Sequence, residues 1–314
     1  MTKVIVAIPV LNEAESLGAV LDGIKRVKIS RAKLSVVVVD DGSTDQSVAI
    51  AKKAGVSIVS HGRNRGLGAS FRSAVRFAVE CNADILVTMD GDGQFNPKDI
   101  PLLVEPVMND TADFVTASRF RNDAFVPKMP KMKLWGNKKV AWLVNRLVGT
   151  DLHDVSCGFR SYSREALLSL DLIGGYTYTH EVILTLAFQN MRLAEVDVIV
   201  RGEREFGKSR VASSILRYAA NTSLIILRNF RDFKPLIAFG VPALMIGALG
   251  LVCLVYFGVS SLILGEFYPK VLAFVGAFFV LFASLLLITA MIADMFTRIR
   301  TQLENLRRRV SRLT

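Results

Sequence analysis

Hydrophobic residues in the first 200 positions come in short bursts separated by longer amphipathic stretches. Val4–Ile8, Leu34–Val39, Val56–Ser60, Ile85–Met89, Phe114–Ala117 and Leu193–Val200 are rich in valine and isoleucine and read as strands. Between them, Glu13–Arg26, Thr44–Ala54, Gly66–Cys81 and Pro97–Met108 carry helical patterns, with Ser43 or Thr44 capping the second and Asn96 the fourth. Strands alternating with helices predict a mostly parallel α/β sheet covered on both sides. Ligands of such sheets bind beyond the carboxyl ends of the strands. The segments IPVLNE, VVDDGSTD and VTMDGDGQ all lie at such ends and should share one rim.

From residue 236 the pattern changes. Leu236–Val259 and Val271–Ala293 carry no charged side chain, and each exceeds the roughly 20 apolar residues that cross a hydrocarbon core. They predict two transmembrane helices joined by a short connection, Ser260–Lys270. Arg228, Arg231 and Lys234 precede the pair, and Arg298, Arg300, Arg307, Arg308 and Arg309 follow it. The positive-inside tendency then assigns the first domain and both termini to the cytoplasm. After the second span, Ile299, Leu303, Leu306, Val310 and Leu313 repeat at heptad spacing among arginines. Residues 295–314 read as a basic amphipathic helix on the membrane surface, and the heptad also admits a homo-oligomer. The resulting division is a domain over 1–212, an amphipathic interfacial helix over 213–234, the two spans within 235–294, and the C-terminal helix.

Charge sharpens this picture. The net charge is +11, yet of the 39 lysines and arginines only Lys270 lies between Pro235 and Thr297. The cations flank apolar segments and form no separate basic, aromatic-lined face, which favours a membrane over nucleic acid. Residues 124–150 mix Trp135, Trp142, Leu134, Leu143 and Leu147 with Lys128, Lys131, Lys133, Lys138, Lys139 and Arg146. Tryptophan beside lysine favours the membrane interface, so an interfacial helix is expected near 126–149. Cys81, Cys157 and Cys253 form no close pair, so no disulfide framework or zinc site is visible. The start, MTKVIVAIPVLNE, reads as a first strand and not as a signal peptide.

The chemistry concentrates at VTMDGDGQ. In an extended segment, residues two apart point to one side, so Asp90, Asp92 and Gln94 present oxygens together. Hard divalent cations such as Mg²⁺ or Mn²⁺ take such ligands and share them with phosphates. Gly91 and Gly93 permit close backbone approach to a phosphate. The first strand–helix turn lacks glycine, Gly66-Leu67-Gly68 has no third glycine in place, and no P-loop occurs, which excludes hydride transfer and P-loop hydrolysis.

IPVLNEAESL, VVDDGSTDQS, NRGLGAS and MDGDGQ in that order resemble the family 2 glycosyltransferases, and among them the polyprenyl-phosphate glycosyltransferases of the dolichyl-phosphate mannose synthase group. The resemblance covers about residues 3–210. It implies a GT-A (Rossmann-like) catalytic domain, here followed by a two-helix transmembrane hairpin. It implies metal-dependent, inverting transfer of one sugar from a GDP- or UDP-linked donor to polyprenyl or dolichyl phosphate at the cytoplasmic membrane face. By the same resemblance Pro9, Leu11 and Glu13 line the nucleotide pocket, Val38 and Asp40 hold base and ribose, and Asp90, Gly91, Asp92 and Gln94 serve the metal and diphosphate. Arg119 sits near the diphosphate, and Arg204, Lys208 and Ser209 belong to a segment that closes over the donor. Where the family often has Lys-Leu after that serine, this chain has Arg210-Val211.

Asp92, Asp154 of DVSCGFR and Glu181 of THEVILTL are the candidate catalytic acids, and Lys138, Lys139 and Arg146 the candidate ligands of an acceptor phosphate. Asp40 or Asp41 also reads as a turn residue before Gly42, and Glu181 as a charge at a helix start. His61, His153 and His180 read as structural. Rival functions are transfer to another lipid or to a growing polysaccharide, or an inactive membrane scaffold. The Q-x-x-R-W motif of polymer synthases fails at Leu193 in Gln189-Asn190-Met191-Arg192-Leu193.

Overall fold

Thr2–Val10 forms β1, whose side chains alternate between two buried layers: Ile5 and Ala7 enter one apolar cluster, and Val4, Val6, Ile8 and Val10 the other. A strand buried on both faces lies inside a sheet, and helices cover it on each side. The computed structural model describes residues 1–127, 129–170, 178–201, 215–264 and 270–313. They form two compact units, Met1–Ile226 and Leu227–Thr314.

After β1 come α1 (Ala14–Lys25), β2 (Ala32–Asp40), α2 (Ser47–Lys53), β3 (Ser57–Ser60), α3 (Leu67–Glu80) and β4 (Ile85–Thr88). Then follow α4 (Ile100–Met108), β5 (Phe114–Ser118), α5 (Lys131–Val148), β6 (Arg160–Ser163), α6 (Arg164–Ser169), α7 (Thr179–Phe188) and β7 (Leu193–Asp197). The sheet order is β3-β2-β1-β4-β6-β5-β7. Every pairing is parallel except those of β6, which runs antiparallel to β4 and β5. Leu17, Leu21 and Ile24 of α1 and Ile100, Leu103 and Val104 of α4 pack on one face; Phe71, Ala74 and Ala78 of α3 and Val182, Ile183 and Leu186 of α7 pack on the other.

Three elements depart from the sequence reading. The strand β6 is absent from it, because Arg160-Ser161-Tyr162-Ser163 is polar by pattern yet almost wholly buried. Its polar groups are satisfied internally; Ser161 Oγ, for example, donates to the Leu103 carbonyl at 2.5 Å. α2 begins at Ser47, not at Thr44: Asp45 Oδ1 accepts from Ser47 N–H at 2.9 Å, while other side-chain oxygens of the same stretch serve the start of α1. Ser43 Oγ accepts from Asn12 N–H, Ser47 Oγ from Glu13 N–H and Asp45 Oδ2 from Ala14 N–H, at 2.9 to 3.0 Å. β7 ends at Asp197, and the chain beyond it continues along the rim.

α8 (Ile215–Phe233) spans the boundary between the units, within the stretch expected to be amphipathic. α9 (Pro235–Leu264) and α10 (Lys270–Leu313) contain segments long and apolar enough to cross a membrane. Only 17% and 11% of their most apolar stretches are buried, unlike helices of a soluble core. A Cβ on Gly250 would fall 2.9 Å from the Gly276 carbonyl oxygen, so the two backbones approach closely where small residues meet. α9 runs past Val259 to Leu264, which shortens the expected connection. α10 continues without a break to Leu313, so 295–313 is an extension of the second apolar helix and not a separate one. No glycine or proline follows Gly276 to interrupt it.

Candidate active site

The ends of β1 and β2 are laced into one surface. Asn12 adopts a left-handed φ of 51°, and its side-chain oxygen accepts from Thr44 N–H at 2.7 Å. Pro9, Leu11 and Glu13 lie half-buried along this turn. Val38 does not join them: it is 1% exposed and packs in the α1–α4 layer, so it is closed to a base. Strand alternation is the reason, since Val38 pairs with Ile8 and faces the same way.

Asp40 is at the rim but is engaged in its own turn. It accepts from Ser43 N–H and from Ser60 Oγ, each at 2.8 Å. Burial alone would raise its pKa, but these bonds together outweigh burial and hold it below the usual value. Asp41 clamps the glycine-rich turn: it accepts from Arg65 N–H and Gly66 N–H at 2.9 Å and meets His61 Nδ1 at 2.7 Å. His61 Nε2 meets Ser73 Oγ of α3 at 2.8 Å. Gly42 makes the turn possible, with φ 84° and a Cβ position 2.5 Å from the Arg63 carbonyl carbon.

The DGDGQ segment is a turn and not an extended strand. β4 stops at Thr88, Gly93 has φ 74°, and Asp92 Oδ1 accepts from Gln94 N–H at 3.0 Å. The alternation expected to align Asp90, Asp92 and Gln94 therefore does not operate. Asp90 packs against Gly158, where a Cβ would lie 3.3 Å from its Oδ1. Asp92 and Gln94 line a cleft of about 780 Å³ together with Ser16, Phe125, Asp197 and Arg201. Gln94 Nε2 donates to the Arg201 carbonyl at 3.0 Å and Arg201 N–H donates to the Gln94 carbonyl at 3.1 Å. The chain after β7 is thereby tied to the aspartate turn. Arg204, Lys208 and Ser209 lie outside the described residues.

Arg119, just past β5, makes a two-pronged pair with Asp154: Nε to Oδ2 at 2.5 Å and Nη2 to Oδ1 at 2.9 Å. Asp154 also accepts from Ser156 N–H, Ser156 Oγ and Cys157 N–H. Burial raises its pKa, but the Arg119 charge and these bonds outweigh it and hold the carboxyl low. A carboxylate so occupied is a weak base, and its two-pronged pair fixes Arg119. Glu181 sits in the first turn of α7, 8% exposed. The start of that helix is fixed by Arg160, a fully buried guanidinium that donates to the Thr179 carbonyl at 2.7 Å and the Val155 carbonyl at 3.0 Å. Arg160 lies over the rings of Phe114 and Tyr178, and Tyr178 stacks on Phe71 at 3.9 Å.

On α5 the buried side is Ala141 and Val144, while Trp135 and Trp142 stand 61% and 63% exposed. Lys139 Nζ lies about 6 Å from both rings, at 5.9 and 6.0 Å. Lys138 and Arg146 are exposed as well. Lys139 and Arg146 are seven positions apart in the helix, about 10 Å along its axis. Lys133 in the first turn is exposed too, and burial of its stem, then the Arg119 charge, lowers its pKa.

The sequence model of Glycosyl transferase family 2 matches residues 5–170, which contain β1 to β6, the aspartate turn and the Arg119–Asp154 pair. The chain belongs to that family. It is a glycosyltransferase. It is 30% identical over 226 residues to the polyprenol monophosphomannose synthase of Mycolicibacterium smegmatis, covering 69% of this chain and 84% of that one. It is 26% identical over 303 residues to the dodecaprenyl-phosphate galacturonate synthase of Rhizobium johnstonii, covering 93% of this chain and 86% of that one, the helices of the second unit included. Among solved structures it resembles glucosyl-3-phosphoglycerate synthase from Mycobacterium tuberculosis in complex with Mn²⁺, UDP and glucosyl-3-phosphoglycerate, with TM-score 0.58, 19% identity and coverage of 73% and 80%. That likeness establishes the GT-A type of fold.

In this glycosyltransferase the rim carries Asp40 at the end of β2, Asp90 and Asp92 after β4, Arg119 after β5, and Asp154 in the loop before β6. His61 is structural, as its sequence reading had it, while Ser156 and Arg160 were not foreseen. For Arg160 no sequence signal existed, since its role appears only once β6 is buried.

Proposed function

We propose that the protein transfers one sugar from a nucleoside-diphosphate sugar to polyprenyl phosphate at a membrane surface. The observation that carries the lipid acceptor is the exposed Trp135–Lys139–Trp142 face of α5, in a chain with two membrane-length helices. A soluble acceptor gives no reason for two large exposed aromatic rings flanking a cation. The relatives named for polyprenyl phosphates support the same reading.

The donor set fits a divalent metal. Asp90 and Asp92 are hard oxygen ligands one residue apart, and the missing side chain of Gly158 keeps space beside the Asp90 carboxylate. No cluster of three or more histidine, cysteine or acidic side chains occurs among the described residues, which suits Mg²⁺ or Mn²⁺ completed by phosphate oxygens better than an all-protein cage. Bound there, the metal would neutralise the diphosphate as it leaves. Arg119, oriented by Asp154 and Ser156, supplies fixed positive charge for phosphate oxygens. An oxygen of the lipid phosphate attacks the anomeric carbon, the bond from that carbon to the diphosphate breaks, and the single displacement inverts the centre. A phosphomonoester has its second pKa near 6, so the nucleophile is already anionic at neutral pH. This chemistry does not require a strong base, in keeping with the saturated Asp154. In this reading the catalytic unit and both termini lie on the cytoplasmic side, and the cations flanking the apolar helices support it.

The test is acceptor choice. Purified protein in detergent is given a donor and either polyprenyl phosphate, diacylglycerol or a glucan primer, and products are identified by mass. A single sugar on the phosphate supports the proposal. Sugar on diacylglycerol or a lengthening glucan overturns it.

A further inference from the structure

We infer that the membrane-distal part of α10 is a pairing surface for a second copy of this chain. Ile292, Phe296, Ile299, Leu303 and Leu306 recur at spacings of 4, 3, 4 and 3 along this helix and are between 43% and 62% exposed. Val310 and Leu313 continue the series in sequence. A narrow stripe at 3.5-residue period is the seam of a coiled coil; a helix lying on lipid has a wider apolar face.

Three further observations select a second copy as the occupant. First, α10 is one helix from Lys270 to Leu313, and the charge-free part ends at Ala293. The twenty residues beyond it extend about 30 Å further along the same helix. Laying that part flat on the bilayer needs a sharp bend, and no glycine or proline is present to make one. Second, the contact of α10 with the end of α8 uses a different face: Thr297 Oγ1 donates to the Asp232 carbonyl at 2.9 Å, and the Arg300 guanidinium lies over Phe233 at 5.2 Å. The heptad stripe is left open. Third, with Phe296 and Leu303 at the a positions and Ile299 and Leu306 at d, the flanking pairs across a parallel dimer are Met295 with Arg300 and Gln302 with Arg307. No arginine is set against arginine there. Two copies anchored in one bilayer meet in this parallel sense, and tethering raises their effective concentration, so a short seam suffices.

The test is cysteine cross-linking of the full chain in phosphatidylcholine vesicles, in a Cys81→Ser, Cys253→Ser background. Cys157 is buried, its thiol pushed up to about 12 by burial, and can remain. Oxidation should give a disulfide dimer from Leu303→Cys or Leu306→Cys at least about tenfold more than from Thr301→Cys on the outer face. Equal yields at the two faces, or none at either, overturn the inference. So does shielding of Leu303→Cys by the bilayer from an impermeant maleimide that labels Thr301→Cys, since the stripe would then lie on lipid. Photobleaching of the fluorescently labelled chain without substitutions on α10, in the same vesicles, should show two steps per particle, and a single step overturns the inference without relying on those variants.

Discussion

At the sheet rim, Asp40, Asp41 and Asp154 are almost closed to solvent and each is held by named N–H or hydroxyl donors. On α5 the opposite holds: Lys138, Lys139 and Arg146 stand in solvent beside two exposed tryptophans. The rim spends its charges on fixing loops and on orienting one arginine, as a site for a small ligand of definite shape must. The exposed face of α5 instead sets Lys139 between two aromatic rings open to solvent. One domain thus carries a rigid polar site and an exposed amphipathic one, which under the proposed function would serve a polar donor and an acceptor held in lipid.

The largest expected effect breaks the rigid side. Asp92→Ala should lower sugar transfer by about 10³-fold or more, with no rescue by added Mn²⁺, as read from labelled product. Next comes the Arg119–Asp154 pair. Arg119→Ala leaves a buried carboxylate without its partner and should cost about 3–5 kcal/mol of stability in a urea titration. Arg119→Lys keeps a charge but loses the fork, so it should fold far better and still transfer sugar roughly 10- to 100-fold more slowly. If Arg119→Ala is as stable as the parent chain, the pair is not the brace described.

A smaller effect comes from His180. Burial first, then the Arg160 charge, lowers its pKa to about 3. Above pH 6.5 it is neutral folded or unfolded. As pH falls below that value, the unfolded chain takes up a proton that the folded one refuses, so stability is lost down to about pH 3. The loss at pH 5 should be about 2 kcal/mol, and His180→Gln should remove it from the pH dependence of the urea midpoint. The mildest change belongs to the exposed amphipathic side. Because Trp135 and Trp142 are the only tryptophans, brominated lipids should quench the protein's tryptophan fluorescence if α5 meets the bilayer. Replacing both with alanine should raise KM for a vesicle-borne acceptor by roughly 3- to 10-fold, with kcat unchanged.

Patterns of burial were legible in the sequence wherever apolar side chains did the work. β1, β2, β4 and β5 follow valine- and isoleucine-rich runs, and α9 and α10 begin where charge disappears. What escaped depends on polar groups satisfied at a distance. β6 is buried although polar, because its partners come from α4 and α7. Ser43 resembles a cap of its own helix, but the donor it serves belongs to Asn12, and Ser47 and Asp45 likewise accept from Glu13 and Ala14, more than thirty residues away in sequence. Val38 stands beside the motif residues and yet points into the core. Asp154 has the chemistry of a base, and only the three-dimensional count of its partners shows that its lone pairs are occupied.

The account turns on joining a nucleotide-sugar donor to a lipid phosphate, and direct transfer measures that. Purified protein would be incubated with polyprenyl phosphate, Mg²⁺ or Mn²⁺ and a panel of labelled UDP- and GDP-sugars, beside Asp92→Ala and metal-free controls. The predicted result is label in the lipid phase from one donor, absent from both controls. Donor hydrolysis with no lipid product, or no donor consumed by protein that binds no nucleotide, would contradict it.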